Sequence, residues 1–261
     1  MVLSLSEVNL KEDNVSSEKK RGIIFAYDKS TFDDKDERML RGIAPHIDIV
    51  KVGLQAMFAY NHHYTIAQLV QRFVVEDLGK QVMWDAKLND IPNTVGAAAE
   101  NIVKMGGIKF FTVHASSGFD ALGAAMKVAR GTKSRALAVT VLTSLEEEEC
   151  YSIFGDTPDD KVVQFANIAY LAGIPDIVCS PKDLAFLAKH RMTSHSFNFV
   201  TPGIRSSDSP PDDQKRTMTV TEAVRAGASY LVIGRPIANA PDPVAAAQAI
   251  RKEFDEVIAS L

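Results

Sequence analysis

GIIFAYDKS, residues 22–30, is the first strongly apolar run of the chain, and the way it ends decides between two ways of building a parallel sheet. A doubly wound dinucleotide-binding sheet wants a glycine-rich turn after its first strand, so that the backbone can approach a pyrophosphate at a helix N-terminus. This run instead ends in Asp28, Lys29 and Ser30, with no glycine pattern. The other architecture is a closed barrel, which requires about eight strand–helix units.

Working outward, the units are there. Apolar runs recur as IDIVKVG (47–53), QVMWDAK (81–87), IKFFTVH (108–114), RALAVTVL (135–142), IPDIVCS (174–180), FNFVTPG (197–203) and YLVIGRP (230–236). Their near-continuous hydrophobicity marks strands buried on both faces. Amphipathic stretches separate them. DDKDERMLRGIAPH (33–46) carries acids early and Arg late, VGAAAENIVKMG (95–106) is rich in Ala and ends at Gly, and DPVAAAQAIRKEF (242–254) closes the series. Eight units between residues 21 and 261 predict an α/β fold, a single (β/α)8 TIM barrel. Residues 1–20 are polar and lack periodicity, which predicts a short flexible N-terminal extension.

Composition narrows the function. With 261 residues, 46% of them hydrophobic, the chain has material for one sizeable core. A net charge of -4 and scattered basic residues argue against a nucleic-acid partner. No apolar run approaches the roughly 18 residues of a membrane span, and the N-terminus lacks the apolar core of a secretory signal, so the expected location is cytoplasmic. Cys150 and Cys179 stand far apart without metal-type spacing, which predicts packing roles, no disulfide framework and no zinc site.

Barrel active sites form at the C-terminal ends of the strands. The residues there are Asp28, Lys51, Asp85 with Lys87, His114, Thr143 with Ser144, Ser180, Thr201 through Arg205, and Gly234 with Arg235. Any barrel places polar residues where strands meet solvent, so taken singly each reads as ordinary. The segment WDAKLNDIPNT (84–94) does not. Asp85 and Lys87 lie two apart, hence on one side of an extended strand, and Asp90 comes three residues later in the loop. Burying two carboxylates and an ammonium together is costly unless they are paired, so stability alone would rarely select the pattern. Lys51 adds a second cation and completes an alternating array of carboxylate and ammonium.

The last two strands point to an anion. TPGIR (201–205) and IGRPIANAPDP (233–243) supply glycine backbone, Arg205 and Arg235 in the two loops where such barrels bind phosphate. Other features read as structural. Ser144 with Glu147 predicts a helix capping box in front of the acidic run 146–149, His62 and His63 lack a ligand set, and His114 reads as a hydrogen-bonded wall rather than a general base.

Together these segments resemble the orotidine 5'-monophosphate decarboxylases over roughly residues 21–253. DAKLNDIPNT (85–94) is similar to that family's signature, and KVG (51–53), TVHASSG (112–118), VLTS (141–144), TPGIR (201–205), DDQKRTMT (212–219) and IGRPI (233–237) occur in the family's order. The resemblance implies a cofactor-independent lyase, without metal, that converts orotidine 5'-monophosphate to UMP and carbon dioxide in pyrimidine biosynthesis. It implies a homodimer in which Asp90 joins the partner's Lys51, Asp85 and Lys87, and Thr94 reaches the partner's ribose site. Lys87 would be the proton donor. Asp28 and Lys51 would hold ribose hydroxyls, Thr143 and Ser144 would lie at the pyrimidine edge, and Arg205, Gln214, Gly234 and Arg235 would hold the phosphate. The polar segment 206–217 would be a lid closed by phosphate binding.

Related sugar-phosphate decarboxylases and hexulose-phosphate synthases share an Asp-x-Lys-x-x-Asp strand but use magnesium held by carboxylates. Here the second strand ends in Lys51, a cation where a metal ligand would be wanted. A non-catalytic nucleotide-phosphate binding protein on the same scaffold would have no need to keep all four charged positions.

Overall fold

The computed structural model describes residues 21–189, 197–205 and 217–261. The extension expected at 1–20, Gln214, and the 206–217 segment apart from Thr217 lie outside the described residues. Each of the eight apolar runs is a strand: β1 (Gly22–Tyr27), β2 (Ile49–Gly53), β3 (Gln81–Leu88), β4 (Ile108–His114), β5 (Arg135–Val139), β6 (Asp176–Val178), β7 (Asn198–Thr201) and β8 (Tyr230–Ile233). Each pairs in parallel with its successor, and β8 pairs with β1 to close the barrel. This is the (β/α)8 TIM barrel expected from the spacing.

Alternation along the strands explains both the core and the site. Ile24, Ala26, Ile49, Met83, Phe110, Leu137, Val200, Tyr230 and Val232 form one buried cluster inside the barrel, with the Phe110 and Tyr230 rings edge to face at 5.3 Å. The opposite faces join the helices in a larger outer core that includes Phe25, Val50, Val82 and Phe111. Burial on both sides is why the strands read as continuous apolar runs. Two residues on from Ile49, Met83 and Phe110, toward the C-terminal ends, the inward face carries Lys51, Asp85 and Thr112. The polar site therefore sits directly on an apolar plug.

The helices start where their caps dictate. Helix Asp34–Ile43 begins at Asp33, whose carboxylate accepts from the Lys35 and Asp36 N–H groups, and it buries Leu40 and Ile43. Pro92–Lys104 opens on a proline, whose missing N–H costs nothing in a first turn. Pro243–Ala259 is capped by Asp242, and its Arg251 Nε donates to the His46 carbonyl at 3.1 Å, pinning the helix near the start of β2.

One expected start is corrected. The acidic helix spans Glu147–Phe154 with Glu146 at its cap and no side-chain capping bond, so Ser144 and Glu147 form no capping box. The Leu145 N–H is already committed to the Leu142 carbonyl at 3.0 Å. That turn holds Ser144 exposed, two residues too early. A short hairpin, Tyr60–Asn61 with Tyr64–Thr65, has no counterpart in the sequence expectations, and the exposed His62 and His63 form its tip.

At the barrel floor Asp176 is fully buried. One of its carboxylate oxygens lies 2.7 Å from Arg135 Nη2, and the other accepts from Asn198 Nδ2 at 3.1 Å. Burial pushes this carboxyl up to about 6, although Arg135 and Asn198 pull it back. Cys150 and Cys179 are both buried and form no disulfide. No helix among the described residues is long and apolar enough to cross a membrane.

Candidate active site

The centre of the barrel mouth is Asp85. Its Oδ2 lies 2.8 Å from Lys87 Nζ and 3.5 Å from Lys51 Nζ, and its Oδ1 accepts from Thr112 Oγ1 at 3.0 Å. Lys51 also donates to Asp28 Oδ1 at 2.8 Å, so Asp28, Lys51, Asp85 and Lys87 alternate in sign along one line of contacts. Burial alone would push the Asp85 carboxyl up, but Lys51 and Lys87 together outweigh it and hold it below the ordinary carboxylate range. The Lys51 ammonium shows the mirror image: burial opposes its charge, yet Asp85 and Asp28 raise it. Each charge of the array lies against one of opposite sign.

The local backbone departs from the regular strand expected at this point. Between Trp84 and Leu88, β3 uses four residues where β4 advances only from Phe111 to Val113. Lys87 sits in this bulge at φ +47°, a left-handed conformation that costs a residue with a Cβ roughly 1–2 kcal/mol. Simple alternation therefore does not bring Lys87 to Asp85; the bulge does. Gly53 leaves room beside the array: a Cβ there would come within 3.2 Å of Lys51 Nζ and 3.3 Å of Asp28 Oδ1, so both side chains would have to give by a few tenths of an ångström.

Asp28, Lys51, Asp85 and Lys87 line a cavity of about 610 Å³ together with Thr143, Arg205, Gly234 and Arg235, all of them singled out in the sequence. Gly234 has a spatial reason: a Cβ would meet the Ala26 methyl at 3.2 Å. Arg205 N–H donates to the Met218 carbonyl and Met218 N–H to Gly203, at 3.0 and 3.2 Å, which joins the two ends of the segment between them. His114 is buried, its Nδ1 accepting the Ser116 N–H at 3.2 Å, and burial together with Lys87 pushes its pKa down. It is hydrogen-bonded, but it is not among the residues that line the cavity.

Three candidates lie apart from the array within the single chain. Asp90 and Thr94 are exposed on the rim after β3, and the Asp90 carboxylate accepts the Ile91 N–H at 2.7 Å instead of pairing with Lys51 or Lys87. Ser144 is exposed in its turn while Thr143 faces the cavity. Sequence reasoning missed Thr112 and Gln55. The first hid inside an apolar strand, and the second lies on helix Leu54–Met57 directly after β2. Among the described residues, no group of three or more His, Cys, Asp or Glu side chains is arranged to hold a metal ion.

Comparison with known proteins bears on the family and the fold. The profile of the orotidine 5'-phosphate decarboxylase / HUMPS family matches residues 22–250. The orotidine 5'-phosphate decarboxylase of Geotalea uraniireducens is 38% identical over 243 residues, covering 91% of this chain and 95% of the relative. That of Anaeromyxobacter dehalogenans is 40% identical over 215 residues, covering 82% and 90%. The crystal structure of orotidine 5'-phosphate decarboxylase from Lactobacillus acidophilus superimposes with a TM-score of 0.72 at 30% identity, covering 90% of this chain and all of that one. With its barrel, its charged mouth and a match across nearly all of its described length, the chain belongs to the orotidine 5'-phosphate decarboxylase / HUMPS family.

Proposed function

We propose that the protein decarboxylates orotidine 5'-monophosphate to UMP and carbon dioxide, the last step of UMP synthesis, as a cytoplasmic homodimer that uses no metal or organic cofactor. The observation that carries the reading is the alternating array Asp28–Lys51–Asp85–Lys87 in the same cavity as Arg205 and Arg235. A phosphate held by the two guanidiniums leaves the pyrimidine to lie toward the ammoniums.

The chemistry rests on charge. When the bond between carbon 6 and the carboxylate breaks, the electron pair stays in the ring plane at carbon 6, where the π system does not delocalise it. A fixed ammonium beside that carbon stabilises the developing carbanion, and Lys87 supplies it. Lys87 then gives its proton to carbon 6, carbon dioxide leaves, and the neutral amine regains a proton from water. Asp85, kept ionised by its two lysines, disfavours the substrate carboxylate in the ground state as a secondary effect. Lys51 lies between Asp28 and Asp85, at 2.8 and 3.5 Å, a cation where a metal site would want a carboxylate ligand.

Exposed apolar side chains support the dimer. Leu54, Phe58, Tyr60 and Tyr64 come after β2, Ile91 after β3 and Phe119 after β4, all on the side of the mouth that carries Asp90 and Thr94. A second copy packed there would cover them and bring its Asp90 toward this array.

The test is the ultraviolet absorbance of orotidine 5'-monophosphate during incubation with purified protein, with and without EDTA. The expected result is turnover at the same rate in both. Activity lost to EDTA and restored by magnesium would favour the sugar-phosphate reading.

A further inference from the structure

We propose that Thr112 is the positioning residue of the charged array: its single hydroxyl pins the bulge in β3 and thereby sets where both the Lys87 ammonium and the Asp85 carboxylate point. The inference rests on the catalytic roles of Lys87 and Asp85 in the proposed decarboxylation, and adds a residue that no charge pattern picks out.

The bulge creates the need. The surplus residues between Trp84 and Leu88 leave the ladder with β4, so their backbone groups must find other partners. Thr112 lies on β4 between Phe111 and Val113, opposite the gap. Its Oγ1 accepts the Lys87 N–H at 2.8 Å and donates to Asp85 Oδ1 at 3.0 Å. The direction of both bonds is forced, because an amide can only donate and an ionised carboxylate can only accept.

The two bonds act on different groups. The Lys87 backbone stands at φ +47°, and its side chain reaches Asp85 at the cavity. Asp85 Oδ1 is occupied, which leaves Oδ2 for Lys87 and Lys51 at 2.8 and 3.5 Å. Thr112 itself is fully buried, so water does not replace the hydroxyl readily.

Valine matches threonine in shape but makes neither bond, serine keeps both, and cysteine makes both only weakly. The charged groups facing Asp85 are Lys51 from β2 and Lys87 from β3, with Asp28 behind Lys51 and His114 beside Lys87. The donor from Thr112 helps hold Asp85 ionised, so without it the acid limb of the kcat/KM profile should move to higher pH.

The experiment compares steady-state decarboxylation of orotidine 5'-monophosphate by wild type, Thr112→Val, Thr112→Ser and Thr112→Cys, with Lys87→Ala as control and folding checked by circular dichroism. We expect Thr112→Val to lose about tenfold to hundredfold in kcat with KM changed by less than about threefold, as fits misplacement of reacting groups in a substrate pocket left intact. Thr112→Ser should restore most of the rate, and Thr112→Cys should fall between them. If Thr112→Val does not fold, the contrast between Ser and Cys decides the matter in the same sense. Wild-type kcat and pH profile in the valine variant, or in the cysteine variant where valine does not fold, overturns the proposal, as does a serine variant as slow as either. Full activity in Lys87→Ala would instead overturn the reading of the array.

Discussion

Lys87 and Asp85, two residues apart on β3, close a 2.8 Å ion pair across a backbone that turns left-handed at Lys87. In a regular strand such residues stand about 6.6 Å apart with parallel side chains. The bulge converts that spacing into contact, and it leaves Asp85 between two ammoniums with a hydroxyl behind it.

Asp85→Asn should cost both rate and stability. The side chains of Asp85 and Lys51 are only 9% and 11% exposed, so losing the carboxylate leaves a buried cation with Asp28 alone. Breaking a buried pair costs about 3–5 kcal/mol, and the low end applies because Lys87 is better solvated. A fall in Tm of roughly 6–12 °C is expected in thermal unfolding at pH 7. An unchanged Tm would mean that the array contributes no net stability.

Arg235→Ala should slow catalysis although the residue is assigned to the phosphate, remote from the bond that breaks. Losing a charge-assisted pair removes about 2–5 kcal/mol of transition-state stabilisation, or roughly 30-fold to several thousandfold in kcat/KM. Orotidine, which lacks the phosphate, should be turned over equally slowly by wild type and variant. Wild-type kcat/KM with the nucleotide would remove Arg235 from the phosphate site.

Asp176 and Asp85 should give opposite pH signatures. The folded-state value of about 6 for Asp176 lies above its ordinary 3.8, so the folded chain takes up a proton that the unfolded chain does not as pH falls between them, and stability rises in that window. Asp85 is shifted down; its contribution is present above the ordinary value and is lost as pH falls through its folded pKa. Urea unfolding at pH 7.5 and pH 5 should therefore show wild type gaining on Asp176→Asn at the lower pH, by about 1 kcal/mol. The same difference at both pH values would rule out the linkage.

The barrel was legible because each strand is buried on both faces and so advertises itself as an apolar run, and because Asp28-Lys29-Ser30 ends the first one where glycines would mark the other fold. The charges at strand ends were legible because burial makes them costly. The bulge was not, since nothing local to Ala86-Lys87-Leu88 encodes a positive φ; it is imposed by pairing with β4. Thr112 was hidden for the same reason, a threonine between Phe111 and Val113 being ordinary strand sequence. Ser144 misled because a capping-box pattern outranks a tertiary turn only when the chain is free to choose.

Complementation tests the shared site. Lys87→Ala and Asp90→Ala should each be nearly inactive alone. If Asp90 acts across the dimer, a mixed dimer has one site lacking both groups and one with both intact, so random pairing should recover roughly a quarter of wild-type activity. No gain from confirmed heterodimers would place Asp90 outside the partner's site.

The most direct measurement quantifies UMP and carbon dioxide formed from orotidine 5'-monophosphate by wild type and Lys87→Ala side by side, both confirmed as folded. One molecule of each product per substrate consumed is expected from wild type, with the variant slower by at least about a thousandfold because it loses both the electrostatic partner and the proton donor of the carbanion. Wild-type protein that forms no UMP, or a variant that forms it at the wild-type rate, would contradict the account.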